Sequence, residues 1–238
     1  GNEARTGPVF VDAIEEDGMT PEEQVLAIER TVLEQSGMFQ GVTFDTERFL
    51  SRIFAPGVAR FMPRAEAEVD ATHKQLIPYV MMASQGKYLS YVRGKQGGEK
   101  RLVGNRSIGI GGHINPADDL PLFSQLAGYS REAYLTGVER EVNEEVSVAS
   151  GYTDTIVALL NDDSTEVGRV HLGIVHYWEL ATPSVNKREQ MITQLDFLGV
   201  EELHRLRDSM ETWSQLCVDH LPEMARRGAS GERVTLPR

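Results

Sequence analysis

Apolar positions recur along the chain with two different periods, and the change from one to the other falls near residue 74. Before it, Val25, Ile28, Val32 and Leu33 share one face at helical spacing. Thr20-Pro21-Glu22-Glu23 offers a hydroxyl N-cap, a proline at the first helical position and a glutamate that completes a capping box. Gly37 stands where an αL cap would end that helix. A second helix is predicted from Asp45 or Thr46 to Phe54, burying Phe49, Leu50 and Ile53 before Pro56 stops it. Residues 1–70 therefore read as an N-terminal helical extension. Its apolar positions exceed what a free tail requires, so it is expected to pack on the following domain or to form a homodimer interface.

From Lys74 the runs become short and β-rich. Residues 75–84 and 87–93 read as a hairpin across Gln85-Gly86, followed by a glycine- and lysine-containing loop over 94–100. Residues 101–110 read as a strand that ends in Gly111-Gly112-His113-Ile114. A helix is predicted from about Ser130 to Val146, with Ala133, Leu135, Val138 and Val142 as its apolar face. Strands over 155–160 and 169–180 follow, then a short one near 191–198. An amphipathic helix carrying Leu203, Leu206, Met210, Trp213, Cys217 and Leu221 closes the pattern. Strands on both sides of a central helix, with helix at the end, predict an α+β domain layered α/β/α around a mixed sheet. Its expected bounds are 71–228, with a loose tail over 229–238.

Composition narrows the partners. Of 238 residues, 36 are acidic and 24 basic, a net charge of −12 that opposes stable nucleic-acid binding by broad phosphate neutralisation. Any phosphate must be met locally, by a few cations or by a metal. Cys217 is the only cysteine, which excludes an intrachain disulfide and a cysteine-rich zinc site and makes a reducing, cytoplasmic compartment the simpler expectation. No apolar run reaches membrane-spanning length, and the first residues lack the basic and apolar regions of a signal peptide.

Candidate chemistry concentrates in Arg140-Glu141-Val142-Asn143-Glu144-Glu145-Val146. On a helix, Glu141 lies three and four positions before Glu144 and Glu145, so the three carboxylates project from nearly one side and repel. A hard divalent cation such as Mg²⁺ or Mn²⁺ would relieve that repulsion. A solvated acidic helix face would account for the segment as well. With Gly112 closing a strand upstream, Glu132 eight positions before Arg140, and Val142 and Val148 flanking the acidic group, the whole resembles the box of the Nudix hydrolases. That pattern is Gly, five residues, Glu, seven residues, then Arg-Glu-aliphatic-x-Glu-Glu-x-Gly-aliphatic. Two features depart from it: a 14-residue insertion, roughly 115–128, separates Gly112 from Glu132, and Ser147 replaces the usual glycine. The insertion costs little in closure entropy but can reshape a pocket.

The resemblance, over about residues 75–220, implies a Nudix-like sandwich in which Glu141, Glu144 and Glu145 bind Mg²⁺ or Mn²⁺. Arg140 would steady a carboxylate, with Glu132 as the expected partner, and Gly112 would permit close backbone approach. The implied reaction is attack of water on a phosphorus of a diphosphate in a small phosphorylated substrate. Glu144 or Glu145 would take the proton, with Glu189 as a rival from a later loop. Arg93, Lys95, Lys100, Arg101 and Arg106 form the local concentration of positive charge expected to meet substrate phosphate. His113 is a weaker candidate at a strand end; His171 and His176 fall on opposite sides of one strand. Other readings stay open: a Nudix-fold binding or regulatory module without turnover, a relative of the prenyl diphosphate isomerases (against which the position of Cys217 speaks), or a purely structural acidic helix.

Overall fold

The computed structural model describes residues 22–94, 106–118 and 129–230, with the backbone alone at residues 117 and 129–132. The strands in chain order are β1 (Gln24–Glu29), β2 (Gly41–Thr43), β3 (Arg60–Pro63), β4 (His73–Ser84), β5 (Lys87–Arg93), β6 (Arg106–Ser107), β7 (Ile110–Gly111), β8 (Val146–Val148), β9 (Tyr152–Asn161), β10 (His171–Leu180), β11 (Val185–Lys187) and β12 (Ile192–Leu198). The helices are α1 (Arg30–Ser36), α2 (Thr46–Ile53), α3 (Arg64–Ala67), α4 (Tyr129–Glu145), α5 (Glu166–Arg169), α6 (Val200–Leu206), α7 (Thr212–Asp219) and α8 (Leu221–Ala229).

Long strand β4 organises the sheet. It runs parallel to β10 from Gln75 to Ala83 on one side. On the other side it pairs antiparallel in succession with β1, β7 and β5, and the central order is β12-β5-β4-β10-β9-β2. The sheet is therefore mixed, as the sequence predicts. Strand alternation sorts its side chains into two cores. Leu76, Val80 and Met82 face a cluster with Leu50, Tyr134, Val138 and Val142, whereas Ile77, Tyr79, Met81 and Ala83 face Trp213, Cys217 and Met224. Helices thus cover both faces. The hairpin between β4 and β5 turns at Gln85 and Gly86, with φ of 52° and 75°. Two successive positive φ values suit the right-handed twist of the flanking strands.

Alternation breaks twice among the described strands, between Thr193 and Asp196 of β12 and within β9. Val175 of β10 pairs with Ala158 but the next residue, His176, pairs with Ile156. Val157 is the extra residue of a β-bulge, and both Val157 and Ala158 bury in the core beneath α7 and α8.

Several predicted elements are corrected. The helix expected from Thr20 to Gly37 begins only at Arg30; Val25-Leu26-Ala27-Ile28 are buried as the strand β1, held between β3 and β4. Four consecutive apolar residues covered on both faces suit a central strand, and periodicity alone does not separate that from a buried helix. Thr20 and Pro21 lie outside the described residues. Gly37 does cap α1, at φ 99°, and α2 buries Phe49, Leu50 and Ile53 as expected. In α4, Leu135 is 36% exposed, and Tyr134 takes its place among the buried residues. The single helix expected over 203–221 is broken into α6, a 3₁₀ turn and α7. Glu211 starts the last of these as an N-cap, accepting hydrogen bonds from the backbone N–H of Trp213 (2.8 Å) and Ser214 (2.9 Å). Pro222 opens the further helix α8, which carries ordered structure to Ala229.

One ionic knot ties the N-terminal segment to the sheet. Lys74 of β4, fully buried, donates to Asp163 Oδ1 at 2.6 Å and to the Gly168 carbonyl at 2.7 Å. Arg30, at the start of α1, donates to both oxygens of the same carboxylate. Burial alone would raise the Asp163 pKa, but Arg30 and Lys74 outweigh it and hold it at about 2. Asp163→Asn is expected to cost about 3–5 kcal/mol, because a buried ammonium is left without its counter-charge. Lys74→Met, which removes that charge, should cost less. Urea unfolding of the two variants checks the order, and a larger loss for Lys74→Met would contradict it.

Candidate functional site

The acidic helix α4 lies against the face of the sheet that carries Val80, Met82 and Tyr91. Tyr134, Val138, Val142 and, just past its end, Val146 anchor it at four-residue steps, which turns the positions just before the last two, Glu141 and Glu145, toward the protein. Glu141 is 5% exposed and Glu145 7%, while the Glu144 side chain is 56% exposed. Tyr134 is fixed further by its hydroxyl, 2.6 Å from His176 Nε2, whose other ring nitrogen meets Asp154.

Arg140 organises the cluster. Its Nε donates to Asp118 Oδ1 (2.6 Å), Nη1 to Glu141 Oε1 (2.8 Å) and Glu144 Oε1 (3.0 Å), and Nη2 to the His113 carbonyl (2.8 Å) and Asp118 Oδ2 (3.0 Å). All five N–H groups of the guanidinium are used. The described partners of Arg140 are Asp118, Glu141, Glu144 and the His113 carbonyl; the side chain of Glu132, its expected partner, lies outside the described residues. Asp118 was not anticipated. It sits in the inserted segment, 1% exposed, where it closes a 3₁₀ turn by accepting from the Asn115 N–H at 2.9 Å. Asn115-Pro116-Ala117-Asp118 has the spacing of a capping box, and that signal was available in the sequence.

Arg93, at the end of β5, donates to Glu145 Oε1 at 2.8 Å. The bonds from the two guanidinium groups therefore reach Oε1 of Glu141, Glu144 and Glu145, and Oε2 takes no part in them. Glu145 Oε2 is buried and accepts no hydrogen bond among the described residues. Gly112 brings the backbone so close to Glu141 that a Cβ there would lie 1.9 Å from Oε2. Any side chain at 112 would displace the carboxylate, which explains a glycine at this place.

Among the described residues, two guanidinium groups face four carboxylates here, and these leave part of the negative charge uncompensated. Burial first, then Glu144 and Asp118, push the Glu141 pKa up to about 7 against the pull of Arg140. Burial likewise raises Glu145, with Glu189 and Glu144 acting in the same direction and Arg93 opposing. Glu189 belongs to the loop that caps α4: the backbone N–H groups of Arg188 and Glu189 donate to the Glu145 carbonyl at 2.9 and 3.2 Å. Ser147 takes an ordinary place in β8, paired with Asn186, and the exit from α4 needs no left-handed residue.

The remaining predicted residues divide. Gly112, Arg140, Glu141, Glu144, Glu145, Arg93 and Glu189 come together. Arg106 does not: it donates to Ser90 Oγ and Gln194 Oε1, and Ser90 faces the opposite side of β5 from Arg93. Lys95, Lys100 and Arg101 lie outside the described residues. Among the described residues, the trio of potential ligand atoms that falls within 4.8 Å is Glu68, His113 and His171, rather than the three glutamates of α4. Cys217 is buried in the core under α7, and burial holds its thiol protonated.

No family model matches the chain. Protein YmaB of Bacillus subtilis (strain 168) is 34% identical over 196 residues, spanning 79% of this chain and 90% of that protein. The crystal structure of Tm1382, a candidate Nudix hydrolase, is 32% identical and superposes with a TM-score of 0.67 over 84% of this chain and 98% of its own.

A raised carboxylate pKa has a thermodynamic signature. Between the ordinary glutamate value of 4.5 and about 7, Glu141 holds a proton in the folded chain that it has released in the unfolded one. Its contribution to stability is therefore largest at acid pH and is lost as pH rises through that interval. In chelator, the difference in melting temperature between wild type and Glu141→Gln should change across pH 4.5 to 7 and be flat above it. A difference independent of pH would remove Glu141 as the titrating group.

Proposed function

The chain belongs to the Nudix hydrolase family, and from that premise we propose that it is a Mg²⁺- or Mn²⁺-dependent hydrolase of a diphosphate linkage in a nucleoside diphosphate derivative or a similar small phosphorylated compound. The observation that carries the proposal is the buried oxygen of Glu145, beside Glu141 and Glu144 and without a hydrogen-bond partner among the described residues. An all-oxygen donor set with uncompensated negative charge suits a hard divalent cation, and Glu141, Glu144 and Glu145 would hold it. Such an ion supplies positive charge to phosphate oxygens and to the attacking water.

The chain's own groups do the rest. Water attacks phosphorus, the bridging P–O bond breaks, and the proton of the water passes to a carboxylate. Glu144 is the exposed member of the three and reaches solvent water; Glu145 offers its second oxygen, and Glu189 approaches from the capping loop. Arg140 spends its full donor capacity on positioning, so its role is to hold Glu141 and Glu144 in place and to pin the His113 carbonyl. Arg93 orients Glu145 in the same way and shortly precedes Lys95 and Arg101 in the sequence. These three cations are the candidates for phosphate contact, with Arg106 set apart by its place on the other face.

A panel of nucleoside diphosphate derivatives with Mg²⁺ or Mn²⁺ tests the reading. Glu145→Gln is expected to lower kcat/KM by about a hundred-fold or more, in keeping with the loss of a ligand or base. Glu144→Gln should lower kcat, with circular dichroism unchanged in both variants. Full turnover in Glu145→Gln would refute the assignment, and nucleotide-induced thermal stabilisation without turnover in the wild type would favour a binding module.

A further inference from the structure

Behind Gly112 the chain carries a second group of donor atoms. The backbone at 112 and 113 separates the two: the His113 carbonyl accepts from Arg140, while the His113 ring joins His171, the first residue of β10, and Glu68, which follows α3. His113 Nε2 and His171 Nε2 lie 3.7 and 3.9 Å from the same atom, Glu68 Oε1, and the two rings are 5.6 Å apart at 60°.

We propose that Glu68, His113 and His171 form a binding site for a transition-metal ion of the zinc class, separate from the glutamates of α4. Two imidazoles and a carboxylate are a donor set that suits Zn²⁺ and its neighbours, whereas Mg²⁺ requires oxygen ligands. With metal–ligand bonds of about 2.0–2.1 Å, the edge of a tetrahedron is about 3.3 Å; the two separations from Glu68 Oε1 need to close by only about half an ångström, and all three ligand atoms lie within 4.8 Å of one another. His171 is also prepared as a ligand: its Nδ1 is 2.6 Å from the Val167 carbonyl, an acceptor only, so the proton sits on Nδ1 and the lone pair on Nε2 faces Glu68. Metal-bound histidines are usually oriented by such a bond from the other nitrogen. Burial, reinforced by Arg64 and Arg140, holds the His113 pKa at about 3; burial, opposed by the Val167 carbonyl and reinforced by His113, holds His171 at about 4. Both rings are neutral at pH 7. His113 and His171 are 2% exposed; the Glu68 side chain, 37% exposed and also within 3.4 Å of Arg64 Nε, is the arm that would swing from the guanidinium to the ion.

The three ligands come from segments far apart in sequence, so the ion would staple α3 to the sheet and brace the strand end whose other side carries the Arg140 contact. The claim is independent of hydrolysis. After treatment with chelator and dialysis, the full chain is titrated with Zn²⁺ and, for its visible bands, with Co²⁺ in the presence of millimolar Mg²⁺. One Zn²⁺ per chain is expected, with a rise in melting temperature and with Co²⁺ bands that Mg²⁺ does not displace. His171→Ala and Glu68→Gln should each weaken binding at least ten-fold, and Glu145→Gln should leave it intact. Should His171→Ala fail to fold, Glu68→Gln, altered at a partly exposed side chain, carries the comparison. Equal Zn²⁺ affinity in wild type and Glu68→Gln, no Zn²⁺ binding in the wild type, or loss of the Co²⁺ bands in Glu145→Gln would each overturn the proposal.

Discussion

One guanidinium decides whether this molecule has a site at all. Arg140 gathers Asp118, Glu141, Glu144 and the His113 carbonyl, which come from an inserted turn, the central helix and a strand end. Without it, the carboxylates of Asp118 and Glu141 and the His113 carbonyl would share a space from which water is largely excluded, with Glu144 at its exposed edge, a costly arrangement. With it, the negative charge is reduced but not cancelled, and Glu141 keeps a pKa near neutrality. The compromise is useful chemically. A fully neutralised cluster would not attract a cation, and an unsupported one would unfold the helix that bears it.

That arrangement needs a rigid platform, which the two cores on either side of the sheet provide. β4 is in contact with both, pairs with β10 along its length and receives the N-terminal segment through β1. Residues 24–63 are therefore built into the sheet: β1 lies in its interior and β2 extends its edge along β9. The Leu26 N–H donates to the Ile114 carbonyl, two residues beyond Gly112, so the segment also touches the strand end that supports the site.

The sequence was most readable where local chemistry and burial agree. The β4–β5 hairpin, the span of α4, the Gly37 cap and the convergence of Arg140, Glu141, Glu144 and Glu145 follow from turn residues, periodicity and the motif. It was least readable where a tertiary neighbour settles the outcome. Residues 25–28 fit a helical pattern until β3 and β4 cover both their faces, and the run from Leu203 to Leu221 fits one helix until Glu211 caps a new one. Asp118 escaped because the inserted segment was read as loop length rather than for its capping spacing. The His113 and His171 pair escaped because intrastrand alternation compares residues of one strand, and these two belong to different segments.

The bulge in β9 uncouples register from chain length. Ile156 and Ala158 already pair with neighbouring residues of β10, so the extra residue at Val157 adds a second side chain to the core beneath α7 and α8 without changing which core any later residue of β9 meets. Loss of that single codon would remove one buried apolar side chain and the local bend ahead of the stretch that pairs with β2, and would leave residues 158–161 opposite their present partners. A descendant of this gene one residue shorter at this point should therefore keep its edge strand and lose packing alone.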